Sequence, residues 1–146
     1  MNKRSIKISF IFVLIFSLVL LILQFLAPNL GERFGELRKL SVTVEHCVLY
    51  TFYLCSVPAA IALYCLGKLL YNIQKERIFE KANLRLLNAL SWCCIAVAFL
   101  TAAAVYHYMP FIFVTVAMLF MFLIIRVVGI CMRAGTELKE ENNLTI

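Results

Sequence analysis

Four long runs of apolar residues dominate the sequence, and each is close to the roughly 20 residues that a helix needs to cross a bilayer. They cover about 6–27, 48–70, 89–109 and 111–131. Because 64% of the 146 residues are apolar, the chain cannot bury this surface in a core of its own. Backbone groups inside a bilayer must be satisfied within the protein, as helices do. The sequence therefore predicts an all-α, integral membrane four-helix transmembrane bundle, with residues 1–146 as a single membrane domain.

The first run follows a basic start, as the hydrophobic core of a signal peptide does. It is longer than the roughly 7 to 15 apolar residues of such a core, and no small-x-small cleavage site precedes Pro28. We therefore expect a retained helix that ends near Pro28.

Lys and Arg side chains distinguish the two sides of the predicted bundle. Of the 14 in the chain, only Arg33, Arg38 and Lys39 lie between the first two runs, and none lies between the last two. The others flank the runs on the opposite side: Lys3, Arg4, Lys7, Lys68, Lys75, Arg77, Lys81, Arg85, Arg126, Arg133 and Lys139. The positive-inside rule then places both termini, the connector 71–88 and the tail 134–146 in the cytosol.

The net charge of +6 is thus concentrated on the predicted inner face. Attraction to anionic lipid, about 1 kcal/mol per basic residue near the surface, accounts for such a charge. No motif for reading nucleic acid accompanies it, so we expect no direct nucleic-acid binding.

Residues typical of enzymes are scarce in this chain. It contains no Asp, no Ser-His-acid arrangement and no Gly-rich phosphate loop, and we expect no enzymatic activity and no cofactor. Glu45 and His46, at the entrance of the second run, suggest either a proton relay or metal ligand, or simply a solvated helix start.

Four cysteines are predicted at a similar depth on three helices: Cys65, Cys93, Cys94 and Cys131. Such thiols could bind a soft metal or sense oxidation. Alternatively, they are small apolar residues that pack well.

Several residues within the runs suggest close packing or a path through the bundle. Ala98, Thr101, Ala102, Ala103 and Ala104 form a small-residue face that allows close helix contact and permits oligomers. Arg126 is the one charge embedded in the fourth apolar run; it can snorkel to the inner surface or bind a ligand. The residues expected to line a transport path are Pro58, Tyr53, Tyr64, Thr101 and Arg126.

Two segments at the predicted inner face carry a family likeness. The tail from Arg133 to Ile146 ends in acidic residues followed by Asn-Leu-Thr-Ile, and 78–87 contains Phe79, Asn83 and Leu87 in a Phe-x-x-x-Asn-x-x-x-Leu pattern. Both resemble the DUF2975 family of small bacterial four-helix membrane proteins, with Asn143 where the family more often has Asp. The resemblance implies a bacterial cell membrane as the location. It also implies a genetic context, because members commonly lie beside a gene for a small helix-turn-helix regulator of the Cro/C1 type.

From this context we predict a non-enzymatic membrane protein that docks or restrains such a regulator at the inner face. The tail would be the contact, although an ordinary disordered terminus is the alternative for any chain end. The alternative function is a small transporter or peptide-immunity membrane protein. The predicted docking residues are Lys75, Arg77, Lys81, Arg85, Arg133, Glu137, Glu140, Glu141, Leu144, Thr145 and Ile146.

Overall fold

The computed structural model describes residues 3–39, 41–75 and 78–145. These ranges contain four helices and no strand: α1 (Lys3–Arg38), α2 (Val42–Gln74), α3 (Lys81–Ala104) and α4 (Phe111–Leu144). Each is long and apolar enough to cross a membrane. The protein is therefore an all-α, multi-pass membrane protein, as predicted.

The helices pack in chain order, α1 on α2, α2 on α3 and α3 on α4. Within the described ranges, α1 and α4 do not pack on each other, so the bundle is open between its first and last helices. Short links join successive helices and reverse the chain. The chain from α2 to α3 and the C-terminal part of α4 therefore share one end of the bundle, the connector end. The other two links share the opposite end, the turn end, where the ring centroids of Phe34 and Tyr108 lie 6.1 Å apart.

α1 continues beyond the predicted span of 6–27, through Pro28 to Arg38. A proline within a helix removes the bond to the carbonyl four residues earlier, here Gln24. The hydroxyl of Tyr53 on α2 donates to that oxygen at 3.3 Å, so the carbonyl keeps a partner. Most of the segment between the first two predicted runs, 28–47, is consequently helical. Lys39 directly follows α1, and its φ of 50° is the left-handed conformation common after a helix terminus.

The third predicted run reaches Met109, whereas α3 ends earlier, at Ala104. Pro110 disfavours the helical conformation at the residue before it. The chain instead turns, and the carbonyl of Ala104 accepts the N–H groups of both His107 and Tyr108 at 3.0 Å. α4 begins directly after Pro110.

α3 supplies most of the buried residues of the described ranges, whereas α2, which also packs on two neighbours, supplies only Cys65. In its second half, Ala98, Thr101 and Ala104 are buried, while Ala102 and Ala103 are exposed. The hydroxyls of Thr101 and Thr115 join α3 to α4 at 2.9 Å. The small-residue face is therefore narrower than predicted, since only three of its five members face a neighbouring helix.

Candidate functional site at the connector end

The C-terminal tail is a continuation of α4. At 34 residues, α4 is about 51 Å long, whereas the hydrocarbon core of a bilayer is about 30 Å thick. α4 therefore exceeds that thickness by about 20 Å, or some four turns, and its charged residues from Arg133 to Glu141 all lie in the C-terminal part. The alternative of a disordered terminus does not hold for the part of the tail that the structure describes.

Phe79 and Gly135 lie in direct contact, which joins the tail to the connector. A Cβ atom on Gly135 would overlap the ring of Phe79, with Cδ1 only 2.8 Å away. Thr136, the next residue, is buried. α3 starts at Lys81, so Phe79 precedes the helix. Because Phe79 is outside α3, its ring can lie against Gly135 of α4.

Asn83 is fully buried in the first turn of α3 and organises the connector. Its side-chain oxygen accepts from Nδ2 of Asn72, at the end of α2, at 2.7 Å. Its own Nδ2 donates to the carbonyl of Ile78 at 2.9 Å. A buried amide needs such partners, because burial without them is costly. Asn83 thus holds the end of α2, the connector and the start of α3 together.

A salt bridge also links connector and tail: Lys81 Nζ lies 3.0 Å from Glu140 Oε1. Both side chains are well exposed, so this pair contributes little to stability. On the connector, Lys75 lies over the ring of Tyr71 at 4.6 Å.

The predicted docking residues that the structure describes lie in three places. Lys75 and Lys81 on the connector and Glu140 on the tail lie at the junction described above. Arg85 and Arg133 instead line a groove between α3 and α4, together with Arg126. Four further tail residues are exposed on α4 or directly after it: Glu137, Glu141, Leu144 and Thr145. Arg77 and Ile146 lie outside the described residues.

The cysteines are not gathered into one cluster. Cys65 is buried near Cys93, whereas Cys131 is exposed on α4. Cys93 and Cys94 line an apolar cleft of about 500 Å³. Cys55, which was not among the four cysteines predicted at a similar depth, lines the same cleft. In the described ranges, no three His, Cys, Asp or Glu side chains are placed to hold a metal ion.

At the turn end, Glu45 and His46 lie in the first turns of α2. The Glu45 carboxylate packs against Gly35 of α1, where an added Cβ would lie 2.5 Å from Oε2. His46 is exposed. The Glu45 side chain therefore packs at the contact between α1 and α2.

The residues expected along a transport path lie at separate places. Pro58 lines the apolar cleft, Tyr64 lines a different groove beside α1, and Arg126 lies between α3 and α4. Thr101 is buried against Thr115. The described residues therefore do not bring these side chains together along one path.

Two polar residues on helices escaped the sequence analysis. Gln24 on α1 donates to Ser56 Oγ on α2 at 3.2 Å, and Asn72 donates to Asn83. An amide within or beside an apolar run is the signal that could have identified both, because such a group requires a partner in a membrane.

The helices and their apolar surfaces define a multi-pass integral membrane protein with an ordered polar extension at one end. The family described as "Protein of unknown function (DUF2975)" matches residues 5–146, and the chain belongs to that family. It is also similar to the "Uncharacterized membrane protein YoaS" of Bacillus subtilis strain 168, with 26% identity over 160 aligned positions that cover 100% of both chains. No solved structure matches the chain.

Proposed function

We propose that this protein is a non-enzymatic membrane anchor for a small soluble helix-turn-helix regulator of the Cro/C1 type. In this proposal the connector end faces the cytosol of a bacterial cell, and the regulator binds the free face of the tail helix. The observation that carries the proposal is an ordered helix outside the membrane that leaves apolar and acidic side chains exposed.

The tail helix has two distinct faces. Gly135, Thr136 and Glu140 lie toward the connector and α3. The remaining face carries four exposed residues at helical spacing: Glu137, Leu138, Glu141 and Leu144. Leu138 is 66% exposed and Leu144 is 86% exposed, beyond the part of α4 that lipid can cover. Exposed leucines on an aqueous helix are suited to binding a partner.

Charge makes a DNA-binding protein a suitable partner. The chain carries +6 overall, yet the tail presents Glu137, Glu140 and Glu141 against a single Lys139. DNA-binding proteins present clustered Lys and Arg, and an acidic helix complements such a surface. Binding there would hold the regulator away from DNA, and release would return it.

The proposal can be tested without disturbing the contacts that hold the tail. The double substitution Glu141→Gln and Leu144→Ser removes one charge and one apolar side chain from the free face, while leaving Gly135, Thr136 and the Lys81–Glu140 pair unchanged. The matched control is Glu32→Gln with Leu37→Ser at the turn end, where Leu37 is 84% exposed. Both variants replace the native chromosomal copy, and the small helix-turn-helix regulator that the family resemblance predicts beside its gene is followed in membrane and soluble fractions.

We expect the regulator to move from the membrane to the soluble fraction in the tail variant and to stay at the membrane in the control. A regulator that is soluble in the presence of the wild-type protein would refute the proposal. So would a regulator that stays equally membrane-bound with both variants.

A further inference from the structure

A groove of about 320 Å³ lies between α3 and α4 near the connector end. Polar and basic residues from both helices line it. They are Arg85, Asn88 and Ser91 on α3 and Arg126 and Arg133 on α4; Gly129 and the apolar side chains of Leu84, Leu87, Ile125 and Ile130 complete the lining. The spacing of three and four residues on each helix places these residues on the faces that border the groove.

Gly129 keeps the groove open. A Cβ atom built on it would have nothing within 4 Å. On either side of the groove the helices meet, because Ile125 and Thr136 of α4 are buried. The groove is therefore a local gap in the α3–α4 interface, with an arginine one turn before Gly129 and another one turn after it.

The three arginines have no counter-charge among the described residues. None of them makes an ion pair or a side-chain hydrogen bond there. Glu140 pairs with Lys81 instead, and Glu137, one turn beyond Arg133, is exposed without contacting it. Three like charges beside one gap repel one another unless an anion lies between them.

The depth of the groove indicates where such an anion would lie. Arg126 is about 22 Å along α4 from Phe111, and Arg133 is about 33 Å from it. If the hydrocarbon core, about 30 Å thick, begins at Phe111, Arg126 lies about 8 Å inside its far boundary and Arg133 lies about 3 Å beyond it, at headgroup level. A cation at the first depth is costly without a partner.

We propose that this groove binds a phosphate group, supplied by the headgroup of an anionic phospholipid. Guanidinium groups match phosphate because their N–H donors form a planar fork that binds two oxygens at once. Basic pockets between membrane helices are known to hold anionic headgroups at this level. The side chains of Asn88 and Ser91 add polar groups to the wall, and Ile130 leads from the groove toward lipid. This site does not depend on the docking of a regulator.

The purified full chain in a neutral detergent provides the test. Binding of phosphatidylglycerol, phosphatidylcholine, glycerol 3-phosphate and inorganic phosphate is measured by native mass spectrometry and by thermal shift. The variants are Arg126→Gln with Arg133→Gln, which removes charge, and Gly129→Leu, which fills the gap and keeps all three arginines. Arg33→Gln with Lys39→Gln at the turn end removes the same charge elsewhere. Circular dichroism confirms that each variant is folded.

We expect the wild-type protein to prefer phosphatidylglycerol over phosphatidylcholine, and both groove variants to lose that preference. Loss of one charge-assisted hydrogen bond corresponds to about tenfold weaker binding. Binding of lipid but not of the soluble phosphates assigns the phosphate to a headgroup; equal binding of glycerol 3-phosphate keeps the phosphate site and assigns a soluble ligand. If Gly129→Leu binds phosphatidylglycerol like the wild type, or if the turn-end control weakens binding as much as the groove variants do, the proposal is overturned.

Discussion

The hydroxyl of Tyr53 on α2 donates to the main-chain oxygen of Gln24 on α1 at 3.3 Å, and that oxygen is the one that Pro28 leaves without its helical donor. Ser56, one turn along α2, accepts from the Gln24 side chain at 3.2 Å. In a bilayer no water replaces a missing backbone bond. A side chain of the neighbouring helix therefore compensates for the proline, and α1 can continue through it.

This relationship predicts that Tyr53→Phe destabilises the protein only while Pro28 is present. Interhelical hydrogen bonds in membranes contribute on average about 0.6 kcal/mol and at most about 1.7 kcal/mol. We expect a loss in that range in the wild-type background. In the Pro28→Ala background the loss should be smaller, because residue 28 then supplies its own N–H. Unfolding by SDS titration of the four proteins measures the coupling, and equal losses in both backgrounds would contradict the explanation.

Asn83→Ala should be the most destabilising substitution at the connector end. It removes the acceptor for Asn72 and the donor for the Ile78 carbonyl. An unsatisfied buried polar group costs about 1–3 kcal/mol. We therefore expect a loss of that size in the free energy of unfolding, together with faster proteolysis of the connector.

The control for this substitution is Asn88→Ala on the same helix, where the side chain is exposed. Surface substitutions usually change stability by less than about 0.5 kcal/mol. If both alanine variants unfold alike, Asn83 does not organise the connector.

The number of helices and their membrane character were predictable from the sequence, because a bilayer imposes a length and a composition that the apolar runs satisfy. The ends of the helices were less predictable. Pro28 and Pro110 look alike in a sequence, yet α1 continues through the first and α4 starts after the second. At Pro28 the neighbouring helix supplies a donor, because Tyr53 donates to the carbonyl of Gln24, 29 residues earlier in the chain.

The candidate site was predictable only in part, for a related reason. The sequence placed connector and tail at one end, and Lys81 and Glu140 do meet there. It could not show that Arg85 and Arg133 border a different feature, the α3–α4 groove, because that assignment depends on how the two helices pack. Gly129, which leaves the groove open, gave no signal of its own in the sequence.

The two glycines of α4 are predicted to respond oppositely to alanine. A Cβ at Gly135 would overlap the ring of Phe79, whereas one at Gly129 meets open space. Overpacking typically costs about 1–3 kcal/mol, and replacing a helical glycine by alanine gains about 0.5–1 kcal/mol where space allows. We expect Gly135→Ala to destabilise the protein and Gly129→Ala to stabilise it slightly, as measured by thermal unfolding in detergent.

A second substitution separates the steric explanation from a general effect of alanine on α4. Phe79→Leu shortens the side chain that the new methyl group would meet. It should therefore recover part of the stability that Gly135→Ala loses. Additive losses in the double variant would show that Phe79 is not the obstacle.

The exposed pair of Lys81 and Glu140 should contribute much less to the free energy of unfolding than the buried contacts beside it. Exposed ion pairs contribute about 0.2–1 kcal/mol and are screened by salt. We expect Glu140→Gln to lower the free energy of unfolding by less than Asn83→Ala or Gly135→Ala does, and the difference from wild type to shrink in high salt. Lys81→Gln should add little once Glu140 is replaced. A large loss that salt does not reduce would mean that Glu140 holds the tail through a contact other than this pair.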